Sequence, residues 1–439
     1  MTLLTATEDF VIYETGFEKD TLDRKKFADQ LSELITKVTE PFVIALDGKW
    51  GSGKSYFLQR WVGHHCSDKA TTVYFDAFEN DYLSEPLISI ISSVNDRIPE
   101  DHQPDWKSLG FKVAKPLASI GLNLLTFGAK EQTSELLNVA LDAAQNEIAD
   151  ISNKFWEAED ARKNSMNDFK KLLAKVAIDK KPLVIVVDEL DRCRPDYALS
   201  VLEVIKHFFS VPNVHFILGV NLIALENSVK ARYGAGTDAT NYLKKFIHIQ
   251  ASLPDKIGTR GEVDTIEEHF KNISSKMSLN ENLQRDVKRV ISIAKLGNNI
   301  SLRDIEKICT KIELTPTDTN LNDTYTVSAS ILIVASVINE GFHRNLMDKR
   351  INKKQILEFL NMVESDRFVE VNGDHNHTFS FDTQLIYIIL CQWCFGERCA
   401  QLKICEERLC RSTNLLGSPN NNNTMHTIQR DLVDVFKAF

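Results

Sequence analysis

The chain has 439 residues, of which 43% are hydrophobic and 26% are charged, and its formal net charge is −9. This length exceeds what one ordinary hydrophobic core supports, so we expect more than one domain. The acidic balance argues against broad, nonspecific binding of nucleic acid, although it is compatible with a local basic surface.

The first ten residues lack a basic segment followed by an apolar one. We therefore expect no secretory signal and a cytoplasmic protein. The first helix is predicted after Asp20, a good N-cap, because apolar residues recur with helical spacing from Leu22 to Val38.

The next stretch pairs a strand-length apolar run at 41–47 with the sequence GKWGSGKS at 48–55. The pattern G-x-x-x-x-G-K-S predicts a loop whose backbone N–H groups surround a polyphosphate. Lys54 is expected between the β- and γ-phosphates of ATP, and the Ser55 hydroxyl is expected to bind Mg²⁺. The predicted nucleotide-binding residues here are Gly48, Trp50, Gly51, Ser52, Gly53, Lys54, Ser55 and Tyr56.

A second strand is predicted at 71–78, followed by a mostly helical insertion at about 81–181. The most apolar segment of the insertion, 117–127, is about half the ~20 residues that a membrane-spanning helix needs. The segment is compatible with a buried or partner-facing hairpin and with a contact at a membrane surface. We expect no transmembrane helix.

The run LVIVV at 183–187 is typical of a central parallel strand and ends in Asp188 and Glu189. We assign Asp188 to Mg²⁺ and Glu189 to the catalytic base that polarises the attacking water. The alternative is a capping cluster that starts the next helix. The phosphate loop at 48–55 favours the catalytic interpretation, because it supplies the other half of such a site.

Two more strands are predicted at 214–220 and 246–251. Asn221, at the tip of the first, is expected either to contact the γ-phosphate or the attacking water, or to cap the next helix. Arg232 is a candidate arginine finger for a neighbouring molecule, or a solvated residue at a helix end.

From Glu262 the sequence becomes helical, which predicts domains at 1–260 (nucleotide-binding), 261–320 (helical lid) and 321–439 (C-terminal helices). Ser301 and Asp304 form a predicted capping box that places Arg303 in the first turn of its helix, within reach of phosphates if the lid covers the nucleotide. Five cysteines between Cys391 and Cys410 are interpreted as core residues, with metal or redox chemistry as the alternative.

These segments together resemble the KAP family of P-loop NTPases. The resemblance covers about residues 10–315 and rests on GKWGSGKS at 48–55, FDAFEND at 75–81, VVDELDRCRP at 186–195, FILGVN at 216–221 and YLKKFIHIQASLP at 242–254. It implies a P-loop NTPase α/β fold of the additional-strand type. The implied parallel sheet has the order 5-1-4-3-2, with a helical insertion and a C-terminal helical lid.

The resemblance also implies that Lys54, Ser55, Asp188 and Glu189 have the roles given above, that Leu22 to Arg24 lie near the adenine, and that Arg303 belongs to the lid. The chain departs from the family pattern at Phe78, where a Trp is common, and at Asn221, where an acidic residue is common. Bacterial members resemble anti-phage or plasmid-borne exclusion proteins, which associates the chain with defence.

Three functions follow from these observations. The first is an ATPase that acts as a conformational switch or assembly factor, with copies of itself or a separate effector, in anti-phage defence. The second is a DNA-acting motor or loader, for which Arg344, Lys349, Arg350, Lys353 and Lys354 are a candidate phosphate-binding face. The third is a nucleotide-binding scaffold with little turnover, which Glu189 disfavours.

Overall fold

The computed structural model describes residues 11–18, 20–66, 71–82, 86–98, 108, 164, 166–177, 182–208, 210–257, 263–277, 279–315, 323–362 and 381–395. The segment 117–127, most of the insertion, three of the five clustered cysteines and the predicted last helix lie outside these residues. The chain divides after Pro254 into two compact units. Within the described residues, no helix is long and apolar enough to cross a membrane.

The first unit is built on five parallel strands, which are β1 (Val43–Asp47), β2 (Thr71–Asp76), β3 (Leu183–Asp188), β4 (Val214–Val220) and β5 (Ile249–Ser252). The order across the sheet is β2-β3-β4-β1-β5. Read from the other edge this is 5-1-4-3-2, so the order implied by the resemblance is confirmed. Because all pairings are parallel, the carboxyl ends of the strands share one edge.

Alternate residues of the strands pack into separate cores on the two faces of the sheet. On one face Ala45, Val187 and Leu218 join a large cluster with the helices after β2 and β3. On the other face Leu46, Val186 and Ile217 pack with the first two helices. The helices of this unit are Lys25–Lys37, Lys54–Cys66, Pro86–Asn95, 166–176, Pro195–His207, Leu222–Tyr233 and Ala239–Leu243.

Several element boundaries differ from those expected. The second strand, predicted at 71–78, ends at Asp76. The first helix begins at Lys25, because the Asp20 carboxylate accepts from the Leu22 and Arg24 N–H groups and holds a turn there. The fifth strand is Ile249–Ser252 rather than 246–251. Phe246 is buried in the turn that ends helix Ala239–Leu243, where its N–H donates to the Leu243 carbonyl.

The second unit begins with a two-stranded antiparallel pairing of Lys256–Ile257 with Val263–Asp264 and is otherwise helical in its described residues. Helices on both sides of residue 320 contribute to one core, which also buries Cys391. The predicted domain limits stay a prediction. The helices are Thr265–Ser274, Glu281–Ala294, Leu302–Glu313, Asp323–Ile338, Glu340–Met347, Lys353–Phe359 and Phe381–Phe395.

Candidate functional site

The loop at 48–55 connects β1 to helix Lys54–Cys66. Gly51 and Gly53 have φ angles of 80° and 84°, which side chains rarely adopt. The Gly48 N–H donates to the Val220 carbonyl over 3.1 Å, which fixes the start of the loop to the end of β4. The loop therefore turns tightly at the carboxyl edge of the sheet and leads into a helix N-terminus, an arrangement that favours anions.

Lys54 begins this helix and is only 8% exposed. Its ammonium donates to the Gly48 carbonyl and, over 3.2 Å, to the Lys49 carbonyl, so the side chain folds back over its own loop. Burial lowers the pKa of Lys54, and the carboxylates of Asp191, Asp188 and Asp47 oppose that shift. The Lys54 ammonium is thus held against the first residues of the loop.

Asp188 is the last residue of β3 and is 1% exposed. Its Oδ2 accepts from the Tyr74 hydroxyl over 2.8 Å, and its Oδ1 accepts from the Glu189 N–H over 2.9 Å. Burial raises the pKa of Asp188 to about 6, although these bonds and the Ser55 hydroxyl favour the ionised form. Beside it, a Cβ on Gly219 would lie 2.3 Å from Asp188 Oδ1, so β4 leaves room for this carboxylate.

Glu189 follows directly, in a left-handed conformation with φ 57°. Its Oε1 accepts from the Ser55 hydroxyl over 3.2 Å, and its Oε2 accepts from Arg192 Nη1 over 2.9 Å. Ser55 and Glu189 are 134 positions apart in the chain. The structure therefore brings the predicted basic loop and the predicted acidic strand end together at one edge of the sheet.

A model of the KAP family P-loop domain matches residues 24–317. The chain belongs to the KAP family. This finding confirms the resemblance noted from the motifs, and with the sheet order it confirms the P-loop NTPase fold.

Two solved structures of the Aeropyrum pernix ORC2 protein, one with ADPNP and ADP and one in an ADP form, are similar to this KAP chain at low level. Both are 12% identical to it, and each alignment covers 98% of this chain and 88% of the ORC2 chain, with TM-scores of 0.37 and 0.35. The search of curated proteins found no match.

The donor set at the edge of this KAP sheet fits Mg²⁺. The Ser55 hydroxyl donates its hydrogen bond to Glu189, so the lone pairs of the Ser55 oxygen are available to a cation. Within the described residues, no lysine or arginine forms a salt bridge with Asp188. Hydroxyl and carboxylate oxygens are the ligands that Mg²⁺ takes, usually one or two from the protein together with substrate phosphates.

Arg24, which the resemblance places near the adenine, stabilises the loop through its backbone carbonyls. It is buried, and its guanidinium donates to the carbonyls of Ser52 and Gly53 over 3.2 Å each. Leu22 is buried just before it. The adenine contact itself stays a prediction.

Two further predicted loop residues, Trp50 and Tyr56, are exposed. The Trp50 indole N–H donates to Asp191 Oδ2 over 2.6 Å. The Tyr56 ring is exposed, and the Arg60 guanidinium lies 4.5 Å from its centre. Arg60 also donates to the Gly16 carbonyl, which fixes the segment before the first helix to the helix of the loop.

Each of the other candidates either caps a helix or is exposed. Asn221 accepts from the Ala224 N–H over 3.4 Å as the N-cap of helix Leu222–Tyr233, and Arg232 is exposed near the end of that helix. Arg303 is exposed in the second unit, and the capping box of Ser301 and Asp304 beside it is confirmed. A phosphate contact of Asn221, Arg232 or Arg303 stays a prediction.

Sequence reasoning missed four residues of the site, which are Tyr74, Asp191, Arg192 and Gly219. Tyr74 bonds to Asp188 and Trp50 bonds to Asp191 across 114 and 141 positions of sequence, and none of the recognised motifs pairs these residues. The spacing of Arg192 three residues after Glu189 was a readable signal, because residues three apart meet on a helical turn.

Proposed function

We propose that the protein binds ATP with Mg²⁺ and hydrolyses it, and that the ATPase cycle drives a conformational switch or an assembly step. The observation that carries this proposal is the contact between Ser55 of the phosphate loop and Glu189 at the end of β3. A protein that only bound nucleotide would need the phosphate loop but no catalytic carboxylate beside it. A carboxylate next to the expected metal ligand favours turnover.

Each residue has a proposed role that follows from its position. Lys54 binds the β- and γ-phosphates, together with the backbone N–H groups of the loop. Glu189 accepts the proton of the attacking water, and Arg192 orients its carboxylate. Ser55 and Asp188 hold Mg²⁺, which when bound neutralises charge on the phosphates.

The test is phosphate release from ATP by the purified chain with Mg²⁺. We expect Lys54→Ala to lower the rate at least about 100-fold through loss of phosphate stabilisation. We expect Glu189→Gln to lower the rate by a factor on the order of 100 or more while nucleotide binding survives, since only the base is lost.

Lys49→Ala is the matched control, because Lys49 lies in the same loop and its side chain is exposed. It should keep hydrolysis within about threefold of the unsubstituted protein. Hydrolysis that is unchanged in Glu189→Gln would remove Glu189 as the base. Hydrolysis that is unchanged in Lys54→Ala would end the proposal.

The switch implies a partner, either further copies of this chain or a separate effector, and the predicted setting is bacterial anti-phage defence. An exposed Arg232 suits a contribution to a neighbour's site. The molecular mass measured with ATP and Mg²⁺ and then with ADP tests self-assembly. An equal monomer mass in both states would leave the separate effector as the partner.

A further inference from the structure

Besides the bond between Ser55 and Glu189, a second side-chain hydrogen bond joins the phosphate loop to the segment after β3. The Trp50 indole N–H donates to Asp191 over 2.6 Å. The indole is 53% exposed, whereas Asp191 is 8% exposed. The half-exposed ring is therefore held by this hydrogen bond together with the packing of its buried half.

Asp191 is a firm anchor for that bond. It lies in the short 3-10 helix Leu190–Arg192, in which the Arg192 N–H donates to the Glu189 carbonyl over 3.0 Å and the side chain of Leu190 is fully buried. This turn follows β3, which is an interior strand of the sheet. A hydrogen bond to an ionised acceptor is about twice as strong as one between neutral groups.

The loop needs such an anchor because its glycines leave the backbone free to adopt many conformations. Arg24 holds the carbonyls of Ser52 and Gly53, in the second half of the loop. In the first half, the Gly48 N–H bonds to Val220 and the Lys54 ammonium bonds to the Gly48 and Lys49 carbonyls. The bond from Trp50 to Asp191 adds a side-chain link between this half and the segment after β3.

Asp191 also acts on Lys54 through its charge. Of the carboxylates that oppose the lowering of the Lys54 pKa, Asp191 contributes most. Removing Asp191 thus has two effects, on the position of the loop and on the field at Lys54. An asparagine separates them, because its amide oxygen can still accept from the indole while the charge is gone.

We propose that Asp191 is a positioning residue for the phosphate loop, and that through the Trp50 indole it holds the first half of the loop in the conformation that receives phosphate. The inference rests on the proposed function, because it needs a nucleotide in the loop. A loop that is already formed loses less conformational freedom when nucleotide binds, so the affinity is higher.

The test is the dissociation constant of ADP with Mg²⁺, measured by calorimetry on the full chain. Trp50→Phe keeps an aromatic ring without the N–H, and Asp191→Ala removes the acceptor. We expect each to weaken binding about five- to tenfold, and the double variant to be within about twofold of Asp191→Ala, since both remove the same bond. Asp191→Asn should recover binding to within about threefold of the unsubstituted protein.

The matched control is Asp196→Ala, which removes an exposed aspartate five residues further along the chain. Combined with Trp50→Phe, it should bind as Trp50→Phe alone. Fluorescence gives a second readout, because the difference between each protein and its Trp50→Phe counterpart isolates Trp50 from the four other tryptophans. Acrylamide should quench Trp50 more in Asp191→Ala than in Asp191→Asn.

The outcomes separate the two proposals. If the unsubstituted chain binds no nucleotide, the proposed function and this inference both fail. If it binds, but Trp50→Phe binds equally well or the two losses multiply in the double variant, only the positioning role is overturned. Should Asp191→Ala unfold, Trp50→Phe and Asp191→Asn decide the matter, since weakened binding in the first with retained binding in the second supports the role.

Discussion

Each unit contains an aspartate that is almost completely buried, Asp188 in one and Asp286 in the other, and the two have different partners. Asp286 in the helical unit accepts from the Thr326 hydroxyl over 2.6 Å and from Arg285 and Arg289 at 3.1 and 3.5 Å. Asp188 in the sheet unit accepts from a phenol and a backbone N–H, and none of the described arginines or lysines forms a salt bridge with it. Both are 1% exposed.

The difference separates a structural carboxylate from a functional one. Asp286 has its counter-charges in place, so its charge is neutralised within the fold. The hydrogen bonds of Asp188 offset only part of the desolvation free energy of its buried carboxylate. This is expected of a group that binds a cation in the functional state. Burial alone therefore does not identify a site. What distinguishes Asp188 is that no described cation forms a salt bridge with it, although the buried Lys54 ammonium interacts with its charge.

The largest expected effect on stability is that of Asp188→Asn. The folded-state pKa of Asp188 is raised to about 6, above an unfolded value near 3.9, so the folded protein takes up this proton first as the pH falls. The ionised carboxylate thus lowers stability above pH 6 and has no such cost below about pH 4. At pH 7.5 we expect Asp188→Asn to raise the free energy of unfolding by about 2–3 kcal/mol, measured by urea denaturation without nucleotide.

The control for this prediction is Asp196→Asn, an exposed aspartate that should change stability by less than about 0.5 kcal/mol. The gain in Asp188→Asn should disappear at pH 4, where the native carboxyl is also neutral. Equal stability of Asp188→Asn and the unsubstituted protein at pH 7.5 would show that Asp188 carries no unpaired charge.

A smaller effect of opposite sign is expected for Asp286→Asn. The substitution removes the charge that two arginines face, but Arg285 and Arg289 are partly exposed and can return to water. We expect a loss of about 1–2 kcal/mol in the free energy of unfolding at pH 7.5, measured in the same way. Asp348→Asn, at an exposed ion pair with Arg350, is its control. A gain in stability for Asp286→Asn would erase the contrast between the two aspartates.

The smallest effect is that of Tyr74→Phe, which removes the hydroxyl that donates to Asp188. We expect a loss of about 1 kcal/mol at pH 7.5, because the carboxylate loses one of its few donors. In the Asp188→Asn background the same change should cost less, since the acceptor is then neutral. Tyr233→Phe, at an exposed tyrosine, is the control. An identical cost in both backgrounds would mean that the hydroxyl stabilises the protein through its other bond, in which it accepts from Gln59 Nε2 over 3.2 Å, and not through the charge of Asp188.

The central parts of the fold and the site could be predicted because short motifs encode them. Lys54, Ser55, Asp188 and Glu189 each occupy a strand end or the loop after one, and the shared edge of a parallel sheet brings such positions together. The strand order came from the family resemblance, because strand periodicity does not say which strands are neighbours.

The contacts that support these residues could not be predicted. Tyr74 lies within β2, where a tyrosine is ordinary, and only the register of β2 on β3 brings its hydroxyl to Asp188. Trp50 meets Asp191 across two segments whose relative placement depends on the whole sheet. The fifth strand was misplaced because an edge strand with exposed residues gives a weak apolar pattern.

The position of the Asp188 carboxylate depends on Gly219, a residue that has no side chain of its own. Any larger amino acid at 219 would collide with the Asp188 carboxylate and with Leu58, at 2.3 and 2.5 Å from its first carbon. Enlarging residue 219 therefore forces the carboxylate out of its place before any chemistry is altered. Among natural variants of this protein, we therefore expect glycine at 219 wherever aspartate is present at 188.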